Sequence, residues 1–282
     1  MIRIVTDSTC DLPDGHLATL DVAVVPIHMF FGDNEYQEGV TLSYEDFYRL
    51  VDTLKIVPKT SQPSPGDFVQ VYRRLAAEGA TTILSVHVTG KLSGTVQAAA
   101  MAAEMVRNEV DVRVFDSLAG SAAIGFMIEE GLAMLARGAE ADVVLARWAA
   151  IREHLGIYFY LDTLRYARMS GRIGALQSSL ASILQIKPLV VLTEGTLEIA
   201  ERIRSRRMAL DRLLELAVHH AAGRTMNLAI VHAEDVTGGQ ALLEQAQQVI
   251  TCQRTMLCRL ATSLVTHLGV GTLGIVLYPV DA

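Results

Sequence analysis

The chain is expected to be an α/β protein of two domains, and three observations point there. Short apolar β runs alternate with helical patterns through the first half. Polar Asp, Ser and Thr segments sit where those runs stop. A hairpin then joins the same alternation in the second half. Alternation of this kind implies a parallel sheet covered on both faces, a three-layer α/β/α domain. The hairpin makes the second sheet mixed. The boundary is placed near residue 155. Residues 1–155 form an N-terminal α/β domain carrying the polar motifs, and residues 156–282 a C-terminal mixed-sheet α/β domain.

The elements follow in order. Ile2–Thr6 is an apolar strand ending in Asp7-Ser8-Thr9, and Pro13 suits a short helix between Asp11 and Leu20. Val22–Ile27 is a strand. His28-Met29-Phe30-Phe31, the turn Gly32-Asp33-Asn34 and Glu35-Tyr36 give a hairpin signal. Ser43 with Asp46 starts a helix as a capping-box-like pair, and Ser64-Pro65 with Asp67 starts another. Thr82–His87 is a strand, Ser93–Val106 a helix, and Val112–Phe115 a strand ending at Asp116-Ser117. Helices follow from Ser121 to Ala136 and from Asp142 to His154.

In the second half Ile157–Leu161 is a strand, followed by a short helix through Arg168 and a helix over Ser178–Gln185. Pro188–Leu192 and Leu197–Ile203 pair across Thr193-Glu194-Gly195-Thr196. Met208–Ala221 is a helix, Asn227–His232 a strand, Ala241–Ile250 a helix, Arg254–Ala261 a strand and Thr272–Tyr278 the last strand. Ligands of such sheets sit beyond the carboxyl ends of the strands. Thr6-Asp7-Ser8, the segment after His87, and Asp116-Ser117 all lie at such ends.

Composition narrows the function. The 282 residues are 51% hydrophobic but only 6% aromatic, with a mean hydropathy of +0.32. The excess is aliphatic, which suits a filled core or an apolar ligand cavity. No stretch suits a bilayer span: Glu129-Glu130 interrupts one apolar run and Lys187-Pro188 another. The first residues read as a strand and not a signal peptide. Cys10, Cys252 and Cys258 form neither a metal spacing nor a disulfide framework, and a cytoplasmic location is expected. The net charge of −7 argues against nucleic-acid binding. Two local arginine groups, Arg202, Arg204, Arg206, Arg207 and Arg165, Arg168, Arg172, read as solvated surface or as a docking face for phosphate or an acidic partner.

Two hydroxyl-bearing segments carry the chemistry: Lys59-Thr60-Ser61-Gln62-Pro63-Ser64 and Gly90-Lys91-Leu92-Ser93-Gly94-Thr95. Each is read as a loop leading into a helix, where unpaired N–H groups and added hydroxyls favour an anion. Capping alone accounts for Ser64 and for Ser93, but leaves Thr60, Ser61, Gly90, Gly94 and Thr95 unexplained. Gly90-Lys91 is not a phosphate loop, because Ser85 and Leu92 stand where Gly and Ser or Thr are needed. Ser93 with His87 or His267 invites a hydrolase reading, yet Lys91 and Thr95 occupy the glycine positions of a nucleophile elbow. His267 lies in a glycine-bearing segment, Thr266-His267-Leu268-Gly269-Val270-Gly271, and could add a third donor and, if protonated, a countercharge. No histidines and carboxylates show zinc spacing, so no metal or cofactor is expected.

Lined up, these segments resemble the DegV family, the fatty-acid-binding subunit of bacterial fatty acid kinase, essentially end to end. The resemblance is carried by Val5-Thr6-Asp7-Ser8-Thr9-Cys10-Asp11-Leu12-Pro13, the Lys59–Ser64 and Gly90–Thr95 segments, and Phe115-Asp116-Ser117. Tyr160-Leu161-Asp162-Thr163-Leu164, Ser170-Gly171-Arg172-Ile173, Ile186-Lys187-Pro188 and His267-Leu268-Gly269-Val270-Gly271 complete it. It implies a two-domain DegV-like α/β protein holding a long-chain fatty acid, such as palmitate, between its domains. Thr60 and Ser93 would hydrogen-bond the carboxylate, with His267 close by and Ser61, Gly94, Thr95, Asp7 and Ser8 in support. A separate ATP-dependent kinase subunit would convert the bound acid to an acyl-phosphate for phospholipid synthesis, with Arg168, Arg172 and Arg202 meeting that partner or the phosphate. The chain itself would bind and present, not catalyse. Ser170 stands where the family more often has glycine, and Val270 where proline is commoner. Leu161, Leu164 and Ile173 are candidates to line the acyl channel. A serine hydrolase of acyl esters and a regulatory protein docking through its arginines remain as alternatives.

Overall fold

The computed structural model describes residues 1–172 and 186–282. The expected helix over Ser178–Gln185 and the candidate lining residue Ile173 lie outside the described residues.

Three sheets form. The first is parallel, in the order β2-β1-β6-β7, with β1 at Ile2–Asp7, β2 at Val22–Val25, β6 at Thr82–His87 and β7 at Asp111–Asp116. β1 and β6 are buried along most of their length, which is why both read as continuous apolar runs. The second sheet is mixed and six-stranded: β10 (Thr196–Ile203), β9 (Lys187–Thr193), β8 (Gly156–Tyr160), β13 (Leu273–Pro279), β11 (Met226–His232) and β12 (Cys252–Arg259). Only β11 and β12 run parallel there. The third is small and antiparallel, β4-β3-β5, with β3 at His28–Phe31, β4 at Asn34–Gln37 and β5 at Lys59–Ser61.

Helices α2 (Pro65–Ala77) and α3 (Thr95–Met105) cover one face of the parallel sheet, packing Phe68, Tyr72 and Ala99 on Val5 and Ile83. Helix α4 (Ala122–Ala136) covers the other, with α5 (Ala141–Glu153) beside it. α4 is buried almost all round because the mixed sheet lies on its far side. One apolar core therefore runs from Ile4 and Leu84 through Phe126 and Met127 to Val231, Val276 and Tyr278. Gly131 lets Trp148 approach α4: a Cβ there would stand 3.0 Å from the indole. α7 (Arg206–Ala221) and α8 (Val236–Val249) close the outer face of the mixed sheet.

Four expectations are corrected. The helix between Asp11 and Leu20 is only a 3-10 turn at Leu17–Thr19, because Asp11 and Leu12 are drawn against α4. α8 begins at Val236, before Gly238-Gly239, since the Asp235 carboxylate accepts from Gly238 N and Gly239 fits closely against His232. Thr60 lies on strand β5, paired with Met29, instead of in a loop. A short helix, α9 (Thr262–Leu268), occupies a segment read as loop. It is stabilised by partners distant in sequence: Ala261 N donates to Asp11 and Ser263 N to Glu38.

Candidate functional site

A cavity of about 350 Å³ opens at the carboxyl ends of β1 and β6. That volume falls in the ordinary range for small-molecule sites. The parallel-sheet half supplies Thr60, Ser61, Ser93 and Gly94; the other half supplies Arg172 and His267. The rest of the wall is largely apolar, with Ile27 and Val88 on one side and Phe159, Leu192, Leu197 and Leu264 on the other.

Thr60 is presented by β5, and α9 packs against that strand. Thr60 Oγ1 and His267 Nε2 are in hydrogen-bond contact at 2.9 Å. The other ring nitrogen, Nδ1, is buried without a hydrogen-bond partner. Burial, with the Arg172 charge second, pushes the His267 pKa down to about 4. His267 is thus a neutral imidazole on the last turn of a helix, not a loop countercharge.

Ser93 precedes α3. Its N–H and that of Leu92 donate to Thr89 O, while Gly90 N donates to the Asp116 carboxylate. The N-cap residue is Gly94, one beyond Ser93. Ser93 Oγ pairs with Thr95 Oγ1 at 2.8 Å and accepts from Thr95 N at 3.3 Å. The two hydroxyl segments touch: a Cβ on Gly94 would stand 3.1 Å from the Gln62 amide nitrogen. Glycine at 94 therefore admits the side chain that bridges the Thr60 and Ser93 segments.

Seven sequence candidates lie off the cavity wall. Asp7 is sealed below it, accepting from Thr9, His87 and Val88 N. Burial opposes its ionisation, but the His87 bond and the other donors hold its carboxyl below the ordinary value. Ser8 turns toward Glu38, donating to it at 2.5 Å while accepting from Ile27 N. Thr95 is fully buried behind Ser93. Arg168 and Arg202 are exposed outside the cavity, and Arg206 of the same group pairs with Asp235 and stacks on Tyr160. Leu161 and Leu164 belong to the packed core and not to the cavity wall. Sequence reading missed Thr9, Thr89 and Ser121 among the polar lining and Phe159, Leu192 and Leu197 among the apolar lining. Only the alternation of β8–β10 could have signalled the apolar set.

A Ser-His-Asp chain does exist elsewhere. Ser85 Oγ lies 2.7 Å from His87 Nε2, and His87 Nδ1 lies 3.0 Å from Asp7 Oδ2. All three side chains are fully buried, and Ser85 also contacts Tyr72 OH at 2.8 Å. No substrate could reach it, and it works as an internal brace. His87 is therefore committed away from Ser93. Among the described residues no cluster of His, Cys, Asp or Glu could hold a metal, and no helix is long and apolar enough to cross a membrane.

This α/β fold, with its parallel, mixed and small antiparallel sheets, is of a recognised kind. The family model "Uncharacterised protein, DegV family" matches residues 1–280, and the chain belongs to the DegV family. A DegV domain-containing protein of Deinococcus radiodurans is 33% identical over 285 residues, covering 100% of this chain and 99% of that one. The solved structure of a DegV family protein from Thermus thermophilus, reported for its fatty acid binding, superposes with a TM-score of 0.88 at 32% identity over 99% of both chains. DegV of Bacillus subtilis, reported as a fatty acid binding protein, superposes with a TM-score of 0.87 at 27% identity over 99% of both chains.

Proposed function

We propose that the chain binds a long-chain fatty acid such as palmitate, holds its carboxylate with Thr60 and Ser93, and presents it to a separate ATP-dependent kinase subunit that makes the acyl-phosphate. One observation carries the reading. Two hydroxyls from separate segments and a histidine with an unpartnered ring nitrogen line one cavity that also carries an apolar set, Ile27, Val88, Phe159, Leu192, Leu197 and Leu264. Related proteins reported to bind fatty acids support the ligand class.

The energetics suit this division. About fifteen buried methylenes at ~0.8 kcal/mol each contribute on the order of 10 kcal/mol before ordering costs. The tail dominates affinity and the head group sets orientation. A buried carboxylate without partners is costly. Hydroxyl donors satisfy it without a fixed salt bridge, and the acid stays available to react. Arg172, which lines the cavity and whose charge acts on His267, is assigned to an incoming phosphate; Arg168 and Arg202 belong with partner contact from outside. Ser93 has no histidine within hydrogen-bond distance, so the chain would turn over little by itself.

The test is the double variant Thr60→Ala, Ser93→Ala. Each lost charge-assisted bond weakens binding by about tenfold or more. The variant should keep its circular dichroism and melting profile, bind palmitate about a hundredfold less tightly, and fail to support kinase-dependent phosphorylation. Full phosphorylation by the double variant would overturn the assignment.

A further inference from the structure

At the tip of the β9–β10 hairpin Gly195 is buried, although Thr193 and Glu194 beside it are exposed. Glu194 and Gly195 both have positive φ, 47° and 80°, as a two-residue hairpin turn of the twisted kind requires. Gly195 is sunk against the opposite half of the molecule. A Cβ there would stand 2.4 Å from Thr89 Oγ1 and 3.2 Å from Leu118. Thr89 Oγ1 donates to Gly195 O at 3.0 Å, a contact spanning 106 residues.

Thr89 is itself fully buried, and every polar group it has is used. Its N–H donates to Ala119 O, its carbonyl accepts from Leu92 N and Ser93 N, and its hydroxyl also accepts from Lys91 N. The residue that fixes the Ser93 loop is thus the residue that holds the hairpin. Just inside the tip, Leu192 and Leu197 are directly opposed across the two strands, and both line the cavity. Two further non-glycine residues with positive φ, Leu118 and Ser121, lie in the adjoining loop. Strained backbone of this kind persists where surrounding contacts over-determine it and often marks a ligand site.

We propose that Thr89 is a positioning residue for acyl-chain recognition: its hydroxyl latches the β9–β10 hairpin to the Ser93 loop, so that Leu192 and Leu197 close on the tail of an acid whose head lies at Ser93. The claim rests on the fatty-acid reading above and adds a length preference to it. A tail that spans both Leu192 and Leu197 gains more from the latch than one that covers only part of them.

The experiment compares palmitate and octanoate binding to the wild type, Thr89→Val and Thr89→Ser. Valine keeps the shape and removes the hydroxyl, leaving both Gly195 O and Lys91 N without that partner, so palmitate should bind about tenfold less tightly and octanoate should lose less. Serine should restore palmitate binding. Hydrogen exchange on the wild type supplies a readout independent of any variant's folding: palmitate should slow exchange of the Thr193–Leu197 amides more than octanoate does. Equal weakening of both acids by Thr89→Val, unchanged palmitate binding, or hairpin exchange insensitive to palmitate would each overturn the latch. Failure of the wild type to bind palmitate at all would instead overturn the fatty-acid reading on which it rests.

Discussion

Thr60 Oγ1 and His267 Nε2 lie 2.9 Å apart although 207 residues separate them in the chain. The contact closes the cavity between an edge strand of the first half and the last turn of a helix in the second. α9 reaches that position because Asp11 and Glu38, both from the first half, receive its leading N–H groups. One end of α9 is anchored by carboxyl groups and the other carries the imidazole.

That imidazole makes stability depend on pH in a defined direction. Burial holds the folded His267 pKa at about 4, below its ordinary value of 6.5. Between those values the unfolded chain binds more protons, so stability is complete above about 6.5 and falls as pH drops toward about 4. His267→Gln should flatten this acid limb in denaturant unfolding measured at pH 4.5 and 7. An identical slope in the variant would contradict a buried neutral imidazole.

Asp11 acts with the opposite sign. Burial raises its pKa well above 3.8, with Glu38 repulsion adding and the Ser121 and Ala261 bonds opposing. Its favourable contribution is present below the unfolded value and is lost as pH rises through the folded one. Asn in its place keeps an acceptor for Ala261 N and gains a donor toward Ser121 Oγ. Asp11→Asn should therefore be at least as stable as the wild type at pH 7, with the advantage shrinking toward pH 4. Asp11→Ala should melt lower at both, because the start of α9 loses its acceptor. Thermal melts at the two pH values decide it.

The apolar wall offers a steric test. Leu197 lines the cavity from β10 and is only partly buried. Leu197→Trp should fill tail space, weakening palmitate binding at least about tenfold by removing burial of two or more methylenes, with little change in melting temperature. Fluorescence displacement of a bound fatty-acid probe measures it. Unaltered affinity would place the tail elsewhere.

Much of the fold was legible because its strands are buried on both faces. β6 was read with its observed bounds, and the β9–β10 hairpin was plain from Glu194-Gly195 between apolar runs. The capping pair Ser64 and Asp67 also announced α2. What escaped was structure fixed by distant partners. α9 is seven residues long and flanked by glycine, so local propensity says loop. Its caps arrive from Asp11 and Glu38, which no local pattern connects to it. β5 has three residues and exists through pairing with β3. Thr60 stands out as surplus to capping and Ser93 through the Gly90, Gly94 and Thr95 around it, and both do line the cavity. Thr95 stands out beside Ser93, and Asp7 and Ser8 at the end of a strand, but all three serve the framework instead. Spacing cannot separate a hydroxyl that faces a cavity from one that ties down the loop behind it.

The most direct measurement is a crystal structure of the protein with palmitate. The carboxylate is predicted within hydrogen-bond distance of both Thr60 Oγ1 and Ser93 Oγ, with the tail running past Phe159, Leu192 and Leu197. A carboxylate bound away from those two oxygens, or a tail lying outside that wall, would contradict the account.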